Sequence, residues 1–296
     1  SCSRRKRPDL IKQFSVLSLA KFKKGNIDVD TQKDHEELLK KNQMNKIFSV
    51  VAILLFIFPS VSIAQSQKVT VAVAANMQYA FKELKNEFEK INNIQVDEVV
   101  GASGNLTRQI TQGAPFDVFM SADTKYPQNL FENHFAAEAP KVYTRGVLVL
   151  WTTKPGLIPA ANLQFLLSGK IKRIAIANPK IAPYGTAARA VLQKFNLLNK
   201  IKSKLVYGES ISQTSQFIAS QNADVGFTAK AIVLSNEMKN KGTWIELNHD
   251  DYPPILQAAV LLKYGIKNNS SAARKFYEFL FSATAKDIYK KYGYLN

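Results

Sequence analysis

Four corners of this 296-residue chain share one theme: an apolar β-type run stops at a small or polar residue and a helix pattern follows, at once in the first two and in the third after a Pro-rich loop over 178–185. The first runs over 69–75, ends at Asn76 and is followed by the stripe Ala80, Phe81, Leu84, Phe88. The second runs over 96–100 into Gly101-Ala102-Ser103-Gly104, then Leu106 and Ile110. The third follows Ile174-Ala175-Ile176-Ala177 and carries Ala182-Pro183-Tyr184-Gly185; the fourth follows Leu205-Val206-Tyr207 and carries Ser210-Ile211-Ser212. A strand feeding a helix this way leaves unpaired backbone N–H groups at the helix start, with the positive end of the peptide dipoles behind them. Such a corner attracts anions. One Ser or Asn at a helix start is ordinarily a cap; four at corresponding strand ends point to a shared anion site.

Competing chemistry finds little support. Residues 65–296 hold no cysteine, since Cys2 is the only one in the chain, and only His134 and His249, without the paired spacing a metal site needs. There is no Gly-x-Ser-x-Gly nucleophile elbow. Asp117 and Asp123 could be drawn as a carboxylate pair, yet a helix-start or turn role suits Asp123 better. His249-Asp250-Asp251 reads as an exposed turn. The sequence therefore points to a binding protein with no catalytic residues and no metal held directly by side chains.

The elements that must position these corners alternate strand and helix, the pattern of an α/β protein with largely parallel sheets. Strands are expected at 117–120, 146–151, 224–227 and 256–262, and a closing helix over 272–292. The theme repeats in two halves, giving two α/β lobes joined by the crossing strands near 146–151 and 256–262. Ligands of open α/β sheets sit beyond the carboxyl ends of the strands, so the corners of both lobes should face one cleft that closes by a hinge. The expected division is 65–146 plus 257–296 for one lobe and 147–256 for the other.

Ahead of these lobes, Met44-Asn45-Lys46, the apolar run 47–58 and the small-residue stretch ending at Ala64 read as a signal peptide over 44–64, cleaved after Ala64. Twelve apolar residues are too few to span a bilayer, which takes roughly 20. Residues 1–43, polar and charge-dense, read as a non-native or disordered extension. The product is expected to be exported and freely soluble, with no lipidation cysteine. The formal charge of +17 falls to +11 over 65–296, where 28 Lys and Arg face 17 Asp and Glu. These cations are scattered and lack interleaved aromatic motifs, so a basic solvated surface fits better than nucleic-acid binding.

Longer blocks carry a family resemblance. Ala74-Ala75-Asn76, Gly101-Ala102-Ser103-Gly104 and Gly113-Ala114-Pro115-Phe116-Asp117-Val118-Phe119-Met120-Ser121-Ala122-Asp123 resemble the periplasmic molybdate-binding proteins of ABC importers, the ModA family. So do Leu148-Val149-Leu150-Trp151, Ala177-Asn178-Pro179, Gly208-Glu209-Ser210-Ile211-Ser212-Gln213, Asn222-Ala223-Asp224-Val225-Gly226-Phe227 and Tyr292-Gly293-Tyr294. The resemblance implies a type II periplasmic-binding-protein fold, with a tetrahedral oxyanion held between two lobes by hydrogen bonds. It implies that Asn76 and Ser103 bind through side chains and backbone N–H groups, and Tyr184 and Ile211 through backbone N–H groups. Two positions depart from patterns in the family: Ala75, where some members carry a hydroxyl, and Ala229, where many carry a Tyr that Tyr184 would replace by closing over the site.

The resemblance further implies a periplasmic, monomeric, non-enzymatic carrier of molybdate or tungstate, with molybdenum bound as its oxyanion and no cofactor, serving a membrane permease and its ATPase. A receptor for sulfate, phosphate or a small carboxylate on the same fold is the alternative. Carboxylate receptors commonly place a cation in the cleft, whereas Arg108, Arg145 and Arg189 are expected to point away here.

Overall fold

The computed structural model describes residues 36–37, 39–44 and 67–295. The chain forms two compact units, Ser1–Ala64 and Gln65–Asn296. In the first, the described residues are helical and exposed. The expected signal peptide lies, Met44 aside, outside the described residues, as does its cleavage point. Among the described residues no helix is long and apolar enough to cross a membrane.

The second unit holds two five-stranded mixed sheets. The first contains β1 (Lys68–Ala74), β2 (Gln95–Gly101), β3 (Val118–Met120), β4 (Lys141–Gly146) and β10 (Ile255–Leu261) in the order β2-β1-β3-β10-β4. β1 runs parallel to β2 and β3, and β10 runs antiparallel to β3 and β4. The second contains β5 (Leu148–Thr152), β6 (Ile174–Ala177), β7 (Leu205–Gly208), β8 (Val225–Ala229) and β9 (Thr243–Glu246) in the order β7-β6-β8-β5-β9. There β6 is parallel to β7 and β8, and β5 is antiparallel to β8 and β9. Each sheet is thus three parallel strands followed by an antiparallel pair. The chain passes between them twice, from β4 through Val147 into β5, and from β9 through 247–254 into β10.

Helices α1 (Gln78–Asn92), α2 (Ser103–Thr111), α3 (Lys125–Glu132), α7 (Lys263–Phe279) and α8 (Ala283–Lys291) accompany the first sheet, and α4 (Pro183–Lys194), α5 (Ile211–Ala219) and α6 (Lys230–Val233) the second. The stripe Ala80, Phe81, Leu84, Phe88 is buried against Val69, Val71 and Val73 of β1 and Phe276 of α7, as a 3.6-residue period facing a 2-residue period requires. Phe88 and Phe276 meet edge to face at 5.0 Å. In the second sheet β5 is buried on both faces, and Trp151 donates its Nε1–H to the Lys241 carbonyl at 2.7 Å.

Three local departures from the sequence reading have clear causes. The closing helix is two helices: Ser282 caps α8 by accepting from the Ala285 N–H, and α7 is itself kinked at Asn269. β4, with Lys and Arg in its short run, carries no strong strand signal, yet its edge position beside β10 tolerates both charges. The strand expected from 146 starts at Leu148, because Gly146 closes β4.

Candidate functional site

The four corners lie at the carboxyl ends of β1, β2, β6 and β7. β1 ends at Ala74 and turns through a single 3₁₀ turn, Ala75–Met77, that carries Asn76. β2 ends at Gly101, Ala102 stays extended (φ −68°, ψ 140°), and Ser103 is the first residue of α2. In the second lobe Pro183 opens α4, its fixed φ suiting a first helical position where no N–H is needed. Tyr184 follows directly. Ser210 caps α5 by accepting from the Gln213 N–H at 3.2 Å, which leaves Ile211 as the first helical residue.

Asn76, Ser103, Tyr184 and Ile211 all line one small cavity of about 10 Å³, together with Ala75, Ala102, Ala122 and Ala182. All four are buried. Among the described residues the backbone N–H groups of Ser103, Tyr184 and Ile211 have no acceptor, whereas those of Gly104, Gly185 and Gln213 are paired. Ser103 is not a cap: its Oγ accepts from the Ala122 N–H at 3.0 Å, so its own hydrogen remains available. Ser210, the other serine of these corners, is committed to capping.

The lobes are closed onto each other. Gly104 N–H donates to the Ile181 carbonyl at 2.9 Å, the Tyr126 hydroxyl to the Lys180 carbonyl at 3.2 Å, and Ser212 Oγ to the Ala75 carbonyl at 3.2 Å. The last bond gives the Ala75 position a hydroxyl neighbour from the opposite lobe. Gly104 has to be Gly, because a Cβ there would come 2.7 Å from the Tyr126 hydroxyl and 3.0 Å from Ile181 Cα.

No charged side chain lines this cavity among the described residues. Arg108 is exposed and bonded to Asn105 at 3.4 Å, Arg189 is exposed on α4, and Arg145 sits in β4 with its backbone paired to Leu295. No group of three or more His, Cys, Asp or Glu that could hold a metal ion occurs among the described residues. An adjoining hollow of about 230 Å³ shares Ala122, Ala182 and Pro183 with the cavity and carries Lys125, Lys180 and Asp123.

Beneath the cavity is a polar floor absent from the sequence reading. Asn76 Nδ2 donates to Gln257 Oε1 at 2.9 Å and to the Tyr294 hydroxyl at 3.1 Å, and that hydroxyl donates to the Asn76 carbonyl at 2.9 Å. Gln257 Nε2 donates to the Tyr184 hydroxyl at 3.3 Å. Tyr184 therefore does not lay its hydroxyl over the site; the ring is buried and its oxygen faces Gln257. Gly146 makes room for this, since a Cβ there would collide with the Tyr184 hydroxyl and lie 2.7 Å from Gln257 Nε2. Burial, reinforced by nearby tyrosines (Tyr289 and Tyr294 for Tyr143, Tyr294 and Tyr252 for Tyr184), pushes the Tyr143 and Tyr184 hydroxyls well above the ordinary phenol range, and Tyr294 is raised chiefly by burial too. All three stay neutral donors at physiological pH. Besides Tyr294 of the family block, the single Gln within the apolar run 255–261 is the sequence signal for this floor.

Residues 69–295 match the family model of bacterial extracellular solute-binding proteins. The chain is 40% identical over 232 residues to the molybdate-binding protein ModA of Azotobacter vinelandii, covering 78% of this chain and 91% of that protein. It is likewise 40% identical to the Rhodobacter capsulatus ModA, covering 78% and 90%. The solved periplasmic molybdate-binding protein of Azotobacter vinelandii superposes with a TM-score of 0.73 at 34% identity, over 77% of this chain and 99% of that one. With two mixed α/β sheets closing on a cavity at their strand ends, the chain belongs to the bacterial extracellular solute-binding proteins, in their ModA family.

Proposed function

We propose that this protein captures molybdate, and tungstate as well, in the cavity ringed by Asn76, Ser103, Tyr184 and Ile211, and hands the oxyanion to the permease and ATPase of an ABC importer. It is a carrier and does no chemistry on its ligand. The observation that supports this most is the convergence of unpaired N–H groups at three helix starts, from both lobes, on a cavity without a charged side chain. Hydrogen bonds to a charged group are worth about 1.5–3 kcal/mol each, so several directed donors offset the desolvation of a dianion. Each helix start adds roughly 0.3–2 kcal/mol. A lysine in the cavity would attract phosphate and sulfate too.

Selection then rests on protonation and size. A protonated oxyanion such as hydrogen phosphate would bring an O–H donor among donors and leave it unpaired. Sulfate, with shorter bonds, would not reach donors from both lobes. We read the carrier as a periplasmic monomer, exported by the segment 44–64, with residues 1–43 outside the working protein. Isothermal titration of the chain with molybdate, tungstate, sulfate and phosphate tests the reading. Heat is expected for the first two only; binding of sulfate or phosphate without molybdate would overturn it.

A further inference from the structure

Asn76 is 1% exposed and lines the cavity, yet both hydrogens of its amide are turned away, to Gln257 and Tyr294. Its Oδ1 has no hydrogen-bond partner. An acceptor without a donor, buried beside a cavity built to hold an anion, is costly on both counts. The residue that holds the amide this way round is Gln257, fully buried on β10. Along β10 Leu256 faces out and Gln257 faces in, and the register against β4 shifts just after it, from Gln257 opposite Thr144 to Ala258 opposite Val142, which leaves Tyr143 as the extra residue of β4 beside this amide.

We infer that Gln257 is a positioning residue whose amide turns over together with that of Asn76 when an oxyanion enters, so that Asn76 Nδ2 faces the ligand. This rests on the oxyanion reading given above. In the arrangement seen, Gln257 Oε1 accepts from Asn76 Nδ2 at 2.9 Å and from the Tyr143 hydroxyl at 3.0 Å, while its Nε2 donates to Tyr184. A half-turn of both amides, whose O and NH₂ ends have nearly the same shape, yields a second complete set. Gln257 Nε2 then donates to Asn76 Oδ1 and to the Tyr143 oxygen. The Tyr143 hydrogen passes to the Ser121 carbonyl, already 3.2 Å away, and Gln257 Oε1 accepts from Tyr184. The Tyr294 hydroxyl, which then faces Asn76 Oδ1 instead of its NH₂ at 3.1 Å, shares its hydrogen between that oxygen and the Asn76 carbonyl at 2.9 Å.

The second set leaves no orphan on Asn76 Oδ1 and presents two N–H donors where the first presents an acceptor. An anion favours only the second, which is what a ligand-driven shift between two arrangements requires. Because Gln257 touches Asn76 of one lobe and Tyr184 of the other, the turn also ties ligand recognition to the contact between lobes.

The test is nuclear magnetic resonance of the uniformly ¹⁵N-labelled chain, its backbone and its Asn and Gln side-chain amides assigned, titrated with molybdate. The strongest contact from the Gln257 amide protons is expected to move from the Tyr184 ring to the Tyr143 ring. If the Ser103 and Ile211 backbone amides shift with molybdate while the Gln257 contact stays on Tyr184, the turn is overturned and the oxyanion reading stands. If those backbone amides do not respond, the oxyanion reading fails and the turn with it. A double-mutant cycle supplies a second readout. Asn76→Ala is expected to weaken molybdate binding about 10- to 100-fold in the native chain and only a few-fold beside Gln257→Met. Equal losses in both backgrounds would overturn the coupling.

Discussion

The two lobes approach one cavity with different chemistry. The lobe containing β1 and β2 brings groups whose orientation can change: the Asn76 amide, set on a floor of Gln257, Tyr143 and Tyr294, and the Ser103 hydroxyl. The lobe containing β6 and β7 brings groups that cannot turn, the main-chain N–H groups of Tyr184 and Ile211, fixed by Pro183 and by the Ser210 cap. The difference assigns the tasks. Side chains that can present either a donor or an acceptor discriminate among ligands, whereas pinned N–H groups respond to any anion of the right reach and report closure. On the function proposed above, the first lobe would govern selectivity and the second the affinity common to all oxyanions.

The largest effect should come from reversing the movable group. Asn76→Asp replaces a donor with a carboxylate that can only accept and that repels a dianion at a few ångströms. Loss of one charged hydrogen bond plus this repulsion should weaken molybdate binding by roughly three orders of magnitude or more. Titration calorimetry reads it directly. A loss of less than tenfold would mean that Asn76 does not face the ligand and that the lobes do not divide the work this way.

Deleting a pinned donor should cost less and cost it evenly. Ile211→Pro removes one N–H at a first helical position, where Pro is tolerated, and Ser210 before it is already extended (φ −135°, ψ 168°). Molybdate and tungstate affinity should both fall about 10- to 100-fold, with the helix intact by circular dichroism. Ile211→Val should change affinity by less than a few-fold, because the side chain is not the donor. Ser103→Ala sharpens the contrast: it removes a hydroxyl of the selective lobe and orphans the Ala122 N–H, so it should lower affinity about tenfold and stability by about 1–2 kcal/mol together.

Gly146→Ala tests the floor. The new methyl would displace the Tyr184 hydroxyl or Gln257, an overpacking that costs roughly 1–3 kcal/mol and should lower Tm by about 3–10 °C. If Tm is unchanged, the floor is looser than the contacts imply.

These contrasts were unequally legible in the sequence. The corners were plain because strand, small residue and helix follow each other within a few positions, and because Ile211, being apolar, can serve only through its main chain. The two-sheet α/β architecture followed from the same alternation. The floor was hidden for a physical reason: Gln257 is set beside Asn76, 181 residues away, by strand pairing and a bulge. Its neighbour Leu256 is 41% exposed while Gln257 is fully buried, the inverse of what their polarity suggests. Tyr143 lay in a strand that carried too little apolar pattern to be noticed, and Tyr294 entered through resemblance without a role.

The smallest effect separates the lobes by acid. In the first lobe burial raises the Asp117 and Asp123 carboxyls above the ordinary aspartate range, despite the N–H groups of Thr70 and Tyr126. In the second, burial also acts to raise Asp224, but the Lys154 ammonium at 2.6 Å and the Arg173 and Lys172 N–H groups overcome it and hold the carboxyl below that range. The signs are opposite. The stabilisation from Asp224 is complete above the unfolded value near 4 and is lost as pH falls through its lower folded value. For Asp117 and Asp123 the ionised form is the one disfavoured by folding, so protonation as pH falls through their raised folded values towards the ordinary aspartate value relieves a cost. Calorimetric scans should therefore find that Asp224→Asn lowers Tm at pH 7 by up to about 3 °C, solvent keeping the effect small, and that the difference closes below pH 4. Asp117→Asn should instead flatten the Tm profile on the acid side of neutrality, above the ordinary aspartate value. If both variants alter the same window in the same direction, the carboxylates of the two lobes are held alike, and the contrast between a lobe fixed by its main chain and one built on buried side chains does not extend beyond the cavity.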